Sequence, residues 1–238
     1  MSYYQRDLAF IHDRGYGLHA DRCAPGILEL LSGIGDGLVL EFGCGSGGLT
    51  RHLLGAGHRV IATDASADML ALARAALGPE ADLRLLALPG DPLPAADAIV
   101  SVGHAISYLP GAAAVEAALT AVADALRPGG ILAIDILDLD FGQLRAGEPP
   151  FARVEADWVI VTEFSTPAPD RFVRDITTFV ADGAGAWRRA EEHHENVLVD
   201  TSRLPALLAG HGMRASVGTA FGDAELPAGL RSVTGSKN

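Results

Sequence analysis

The stretch Leu38 to Leu53 constrains this chain more than any other: Leu-Val-Leu-Glu-Phe-Gly-Cys-Gly-Ser-Gly-Gly-Leu-Thr-Arg-His-Leu. A short apolar run, Leu38-Val39-Leu40, suits a buried parallel strand. The chain then passes through Gly43, Gly45, Gly47 and Gly48 and resumes with apolar residues at helical spacing. Gly43 and Gly45 suit a turn that needs positive φ or that lets backbone touch a ligand. The amides opening the next helix offer hydrogen bonds and a positive dipole end. Strand, glycine loop and helix in this order form a cradle for a nucleotide.

The rest of the 238-residue chain is long enough for one large domain, or a domain with an insert, around an ample core. Its hydrophobic fraction of 49% is high, but much of that is alanine, and no apolar run is long enough to span a bilayer. The opening Met-Ser-Tyr-Tyr-Gln-Arg-Asp lacks the basic-then-apolar form of a signal peptide. A cytoplasmic protein without a membrane partner is expected. The net charge of −12 argues against nucleic acid as partner. The two cysteines, Cys23 and Cys44, make no disulfide framework, and a reducing compartment fits them.

Residues 1–36 read as helices, with stripes at Leu8, Ile11 and Leu18 and at Ile27, Leu28, Leu30 and Leu31. From residue 38 strands and helices alternate. Strand 38–42 leads to helix 47–55, and strand 58–63 ends at Asp64. Ser66 can cap the next helix, strand 83–88 stops at Pro89-Gly90, and strand 97–101 opens with Asp97. Val115, Leu119, Val122 and Leu126 mark a helix over 111–127, which Pro128-Gly129-Gly130 ends before strand 131–137. Such alternation implies a parallel sheet covered by helices on both faces. After Asp138 the period becomes two. Trp158–Phe164, Phe172–Val180 and Trp187–Val199 read as antiparallel strands, with turns at Pro167, Pro169 and Gly183-Ala184-Gly185. A helix capped by Asp200 or Thr201 and strands 213–220 and 229–236 close the chain.

Gly43-x-Gly45-x-x-Gly48 satisfies the dinucleotide fingerprint, and Asp64 lies at a suitable spacing for a ribose hydroxyl. Alone, this does not separate NAD from other adenosine ligands. Glu41, however, would repel a pyrophosphate and suits an amino group or sulfonium, and no second mononucleotide half follows.

With four motifs in order, the sequence resembles the class I S-adenosylmethionine-dependent methyltransferases, most closely their small-molecule branch. The motifs are Glu41-Phe42-Gly43-Cys44-Gly45-Ser46-Gly47, Asp64-Ala65-Ser66-Ala67-Asp68-Met69-Leu70, Asp97-Ala98-Ile99-Val100-Ser101 and Leu126-Arg127-Pro128-Gly129-Gly130-Ile131-Leu132. The resemblance implies an α/β fold with a Rossmann-like, mostly parallel seven-stranded sheet. An antiparallel β insert would precede the last helix and strands. It divides the chain into an N-terminal helical lid (1–36), the cofactor-binding domain (37–144 and 200–238) and the insert (145–199). The insert would build an acceptor pocket or a homodimer contact. It also implies that Gly43, Cys44 and Gly45 lie along the methionine part of S-adenosylmethionine. Glu41 would anchor that loop or reach the amino group through water. Asp64 would hold the ribose hydroxyls, Ala65 and Met69 would contact the adenine, and Leu88-Pro89 would cover its other side. Asp91 stands late for the acid that families of this kind place near the adenine amine. Val102, within Ser101-Val102-Gly103-His104, would line the methyl-transfer channel, and Tyr4 would close over the cofactor from the lid.

The implied reaction transfers a methyl group to nitrogen or oxygen of a small molecule by in-line displacement. It needs alignment and exclusion of water more than side-chain chemistry. His104 is the candidate base, with hydrogen bonding to loop backbone as its other reading. No metal is expected, because His193 and His194 point to opposite faces of a strand. Their segment, Glu191–Glu195, reads as solvated strand. Tyr3, His12 and Tyr16 join Tyr4 either as lid aromatics or as ordinary packing, and Arg51 reads as surface. The alternatives are an NAD(P)-dependent oxidoreductase and a non-catalytic adenosine-ligand-binding protein.

Overall fold

A computed structural model describes residues 3–183 and 185–238. Ala184, within the turn expected at Gly183–Gly185, lies outside them, as do the first two residues. Helices α1 (Arg6–Gly15) and α2 (Leu18–Leu30) come first. Then follow β1 (Leu38–Phe42), α3 (Gly48–Gly55), β2 (Arg59–Asp64), α4 (Ala67–Leu77), β3 (Asp82–Leu85) and β4 (Ala96–Ser101). A 3-10 turn at Ala105–Tyr108 leads to α5 (Ala112–Ala125), β5 (Leu126–Leu137) and α6 (Asp140–Arg145). Strands β6 (Phe151–Val154), β7 (Trp158–Ala168), β8 (Arg171–Ala181) and β9 (Trp187–Val197) form the insert. The chain ends with α7 (Leu204–Ala209), β10 (Met213–Gly218), the short pair β11 (Ala220–Phe221) and β12 (Ala224–Glu225), and β13 (Leu230–Lys237).

The seven-stranded sheet runs β10-β13-β5-β4-β1-β2-β3. Strand β13 pairs antiparallel with both neighbours, and the other pairings within the sheet are parallel. Alternation along the strands sorts side chains into two cores. Leu40, Ile99, Leu132 and Ile134 pack with Val115, Leu119 and Val122 of α5 and Leu208 of α7. Val39, Ala98, Val100 and Ala133 pack with Cys23 and Ile27 of α2 and Leu49 and Leu53 of α3. Helices therefore cover both faces, as the alternating pattern predicts.

Boundaries differ in several places, three of them with a plain physical reason. The third strand stops at Leu85 rather than Leu88, because past it only Leu86 keeps a ladder bond, its amide donating to Asp64 O at 3.0 Å. The helix expected over 111–127 spans 112–125, and Leu126 already pairs with Ala96 ahead of a register shift. Strand β6 was not expected. It is four residues long and mostly exposed, so it carries no alternation of burial to read.

The insert is a four-stranded antiparallel sheet ordered β6-β7-β8-β9. Helix α1 lies against it, with Leu8 and Ile11 packing on Trp158, Ile160, Ile176 and Val180. Each fully buried aliphatic side chain contributes roughly 1.5–3 kcal/mol. Asp7, buried on α1, accepts a two-pronged contact from Arg188 of β9 at 2.8 and 2.6 Å. Gln5 N donates to Glu192 Oε1 at 2.9 Å. The N-terminal segment is thus fastened to the insert.

Candidate active site at the carboxyl ends of the sheet

Strands β1, β2, β4 and β5 run parallel and deliver Phe42, Asp64, Ser101 and Leu137 to one edge of the sheet. Chain order reverses between β1 and β4, the place where open α/β sheets form ligand crevices. The glycine loop crosses it. Gly43 and Gly45 have φ of 67° and 55°, and Gly47, at φ 89°, precedes α3. The loop is held from β2: Cys44 N donates to Thr63 O at 2.9 Å and Gly45 N to Asp64 Oδ2 at 2.8 Å.

Glu41 is buried beneath this loop and accepts from Thr50 Oγ1 of α3 at 2.7 Å. It therefore anchors the loop to the helix. Burial, with the nearby Asp64 charge adding, pushes its carboxyl up to about 8. Burial likewise raises Asp64, against the hydrogen bonds from Ser66 N and Gly45 N. A carboxyl raised in the folded state binds its proton more tightly there than in the unfolded chain. Its contribution is complete below the ordinary 4.5 and is lost as pH rises toward 8. Glu41→Gln is expected to flatten this slope and to exceed the native protein in stability at pH 8, by on the order of 1–3 kcal/mol. Urea melts at pH 5 and pH 8 check this; equal slopes for both proteins would refute it.

Asp64 ends β2 and also accepts from Ser66 N, at 2.8 Å to Oδ1. A carboxylate has about four lone-pair sites, so Asp64 keeps capacity for a ribose hydroxyl beyond the amides of Gly45, Ser66 and Ala65. Ser66 caps α4 as expected, accepting from Met69 N at 3.2 Å, while its own hydroxyl donates to Tyr4 O at 2.8 Å. Tyr4 is thereby brought beside Asp64. Ala65 is exposed and Met69 buried in the same turn. Leu88 is half-buried against the α5 side of the core and Pro89 is exposed. Asp91 folds back to accept from Ala87 N at 2.8 Å, so its carboxylate is engaged within its own turn. Val102 is half-buried against the α2 side. Arg51 pairs with Asp21 on the surface.

His104 follows β4 in the left-handed region, at φ 50°. Its amide donates to Asp135 Oδ1 at 2.6 Å, that of Gly103 to Asp135 Oδ2 at 2.9 Å, and His19 Nε2 lies 2.8 Å from the same Oδ2. Burial and the Arg174 charge push the His104 ring down to about 3. It is neutral at ordinary pH. Burial also disfavours a charged His19, but the hydrogen bonds and charges of Asp135 and Cys23 outweigh this and push it up to about 10.

Beside His104 lies a polar cluster that sequence reasoning largely missed. The Tyr108 ring stacks on His104 at 5.9 Å between centroids. Its oxygen lies 3.0 Å from Tyr4 OH and 3.3 Å from His194 Nδ1, and it accepts from Arg174 Nη2. His194 Nε2 lies 2.9 Å from Glu192 Oε2. Burial and Arg174 disfavour a charged His194, so Nε2 carries the proton toward Glu192 and Nδ1 accepts from Tyr108. Tyr3 and His12 border the same cluster, and burial followed by Arg174 pushes His12 down to about 4. The expectation of a solvated strand at Glu191–Glu195 is corrected here. His194 and Glu192 are buried, because their face of β9 turns toward the N-terminal segment; His193, Glu191 and Glu195 face solvent. Among the described residues no group of three or more His, Cys, Asp or Glu could hold a metal ion, and no helix is long and apolar enough to cross a membrane.

The sheet order, the reversed β13 and the glycine loop define a Rossmann-like fold of the methyltransferase type. Residues 39–130 match the family model described as a methyltransferase domain. No curated protein matches the sequence. Solved structures match over nearly the whole chain. An S-adenosylmethionine-dependent methyltransferase from Clostridium acetobutylicum ATCC 824 superposes with a TM-score of 0.82 at 18% identity, covering 97% of each chain. The sugar N-methyltransferase KedS8 from Streptoalloteichus sp ATCC 53650 gives 0.78 at 20% identity, covering 100% of this chain and 96% of its own. CalS10, an amino pentose methyltransferase from Micromonospora echinaspora bound to S-adenosylmethionine, gives 0.69 at 20%, covering 98% of each. Residues 39–130 are thus similar to a methyltransferase domain, and the chain as a whole has the fold of S-adenosylmethionine-dependent methyltransferases.

Proposed function

We propose that the protein transfers a methyl group from S-adenosylmethionine to a nitrogen or oxygen of a small molecule. The observation that carries this reading is the loop at Gly43–Gly47 tied to Asp64, with Ser101 Oγ buried beside it and lacking a hydrogen-bond partner. Open space beside Gly45, an acid with lone pairs to spare and an orphaned hydroxyl suit an adenosine ligand with an amino-acid tail. Gly43, Cys44 and Gly45 would line that tail, with Glu41 fixing the loop. Asp64 would take the ribose, Ala65, Met69, Leu88 and Pro89 would flank the adenine, and Val102 would lie toward the methyl-transfer channel. When bound, S-adenosylmethionine supplies an electrophilic methyl group on a sulfonium.

The chain's own contribution is then placement. The N-terminal segment (1–36) acts as a lid, with Tyr4 bridging Ser66 at the cofactor side and Tyr108 at the acceptor side. The insert (145–199) forms the acceptor roof rather than a dimer contact, since Arg174 and His194 on its strands meet Tyr108, whose ring stacks on His104. Neutral His104 can accept a hydrogen bond from the acceptor and orient its lone pair. A small-molecule acceptor, without nucleic acid or membrane as partner, and a cytoplasmic location belong to the same reading. The acidic net charge of −12 supports the first part of it.

Labelled S-adenosylmethionine offered with a panel of amino sugars, amines and hydroxy acids tests the proposal. Label transferred to acceptor by the native protein, and lost in Asp64→Ala, is expected. That substitution should weaken S-adenosylhomocysteine binding by about 1–3 kcal/mol, as for loss of a buried hydrogen-bond partner. Unchanged affinity would remove Asp64 from the ribose role.

A further inference from the structure

Arg174 stands on β8 opposite His194 of β9, with its guanidinium against the Tyr108 ring, 5.8 Å from Cζ to the centroid. Its Nη2 donates to the Tyr108 hydroxyl, and Tyr4 OH is close by. Nε is shielded from solvent and has no hydrogen-bond partner. Among the described residues no carboxylate forms an ion pair with this arginine. Other arginines of the insert are matched even where pairing matters less: Arg153 faces Glu155 and Arg188 faces Asp7. Glu192 is the carboxylate of this cluster, but it is held by two donors, Gln5 N and His194 Nε2, and makes no ion pair with Arg174. The Tyr108 oxygen is filled by three neighbours and offers Arg174 no further acceptor.

Arg174 is half-buried with its Nε shielded; the guanidinium remains charged, and holding a charge away from water without an anionic partner is costly. Its planar fork suits the two oxygens of a carboxylate or phosphoryl group. It sits next to His104, on the acceptor side of the cofactor loop. We propose that Arg174 is the anchor for an oxyanion, carboxylate or phosphoryl, borne by the methyl acceptor, so that the acceptor class is small acidic molecules. This rests on the methyltransferase reading for the word acceptor, but the anion site itself is testable without turnover.

The experiment titrates the protein, saturated with S-adenosylhomocysteine, with acetate, inorganic phosphate and the neutral isostere acetamide, by calorimetry and by following the Arg174 Nε–H resonance. At least one of the two anions is expected to bind at 1:1 stoichiometry, at least ten-fold more tightly than acetamide, and to move that resonance. The stronger of the two tells carboxylate from phosphoryl. Arg174→Gln should weaken the anion at least ten-fold and leave S-adenosylhomocysteine affinity unchanged; Arg174→Lys should restore part of the anion binding. Anions that bind no better than acetamide to the native protein overturn the proposal, whatever the variants do. So does a folded Arg174→Gln that loses S-adenosylhomocysteine ten-fold, which would assign the arginine to the cofactor's own carboxylate. Failure of S-adenosylhomocysteine to bind the native protein is read in a separate titration and counts against the methyltransferase reading instead.

Discussion

Asp135→Ala is expected to lower the free energy of unfolding by about 3–5 kcal/mol, the range for removing one partner of a buried ion pair. Asp135 is wholly buried near the end of β5, on the face turned toward α2. Its two oxygens serve His19 Nε2 and the amides of Gly103 and His104. Truncation would leave two amides without their acceptor and take from the His19 imidazole the partner that keeps it protonated. It would also release His104 from its left-handed conformation, and with it the ring that stacks on Tyr108. Both stability and turnover should fall, turnover further than S-adenosylhomocysteine affinity, because the glycine loop is fastened independently through Asp64. Urea melts and paired binding and rate measurements check this. A loss under 1 kcal/mol would mean that solvent readily replaces the carboxylate.

Gly43→Ala is the second large effect. The backbone there sits at φ 67°, and a Cβ would lie 2.2 Å from Ala105 Cβ, far inside contact distance. Left-handed backbone costs an alanine roughly 1–2 kcal/mol, and the overlap forces the loop away from the turn after β4, adding about 1–3 kcal/mol. Since that turn and the loop form the two walls of the crevice, S-adenosylhomocysteine affinity should fall at least a hundred-fold. Gly45→Ala is the control. Its φ is 55°, but nothing lies within 4 Å of its added Cβ, so only the conformational cost applies. A Gly43→Ala protein that binds as tightly as the native one would contradict the placement of the ligand along this loop.

The parts of this site that were legible in the sequence are local ones. The glycine loop, Asp64 and the Ser66 cap each lie within one strand–turn–helix unit, so short-range chemistry fixes them. The seven-stranded sheet with helices on both faces followed from alternation and from the resemblance together. Asp135, His19, Arg174 and Tyr108 were not singled out, although an aspartate inside the apolar run Ile134-Asp135-Ile136 is a readable anomaly. Their meeting depends on pairings across distant segments, such as Arg174 with His194 in the β8–β9 register and α2 with the end of β5. No periodicity within one element encodes those. The reading of Glu191–Glu195 as solvated failed for the same reason: β9 alternates correctly, but what covers its inner face is the segment before α1.

The central claim is that this crevice binds the sulfonium cofactor rather than a dinucleotide. Calorimetric titration of the native protein with S-adenosylhomocysteine and with NADH tests it most directly. One equivalent of S-adenosylhomocysteine bound at micromolar concentration, with no heat from NADH, is the predicted result. Micromolar binding of NADH without binding of S-adenosylhomocysteine would contradict it.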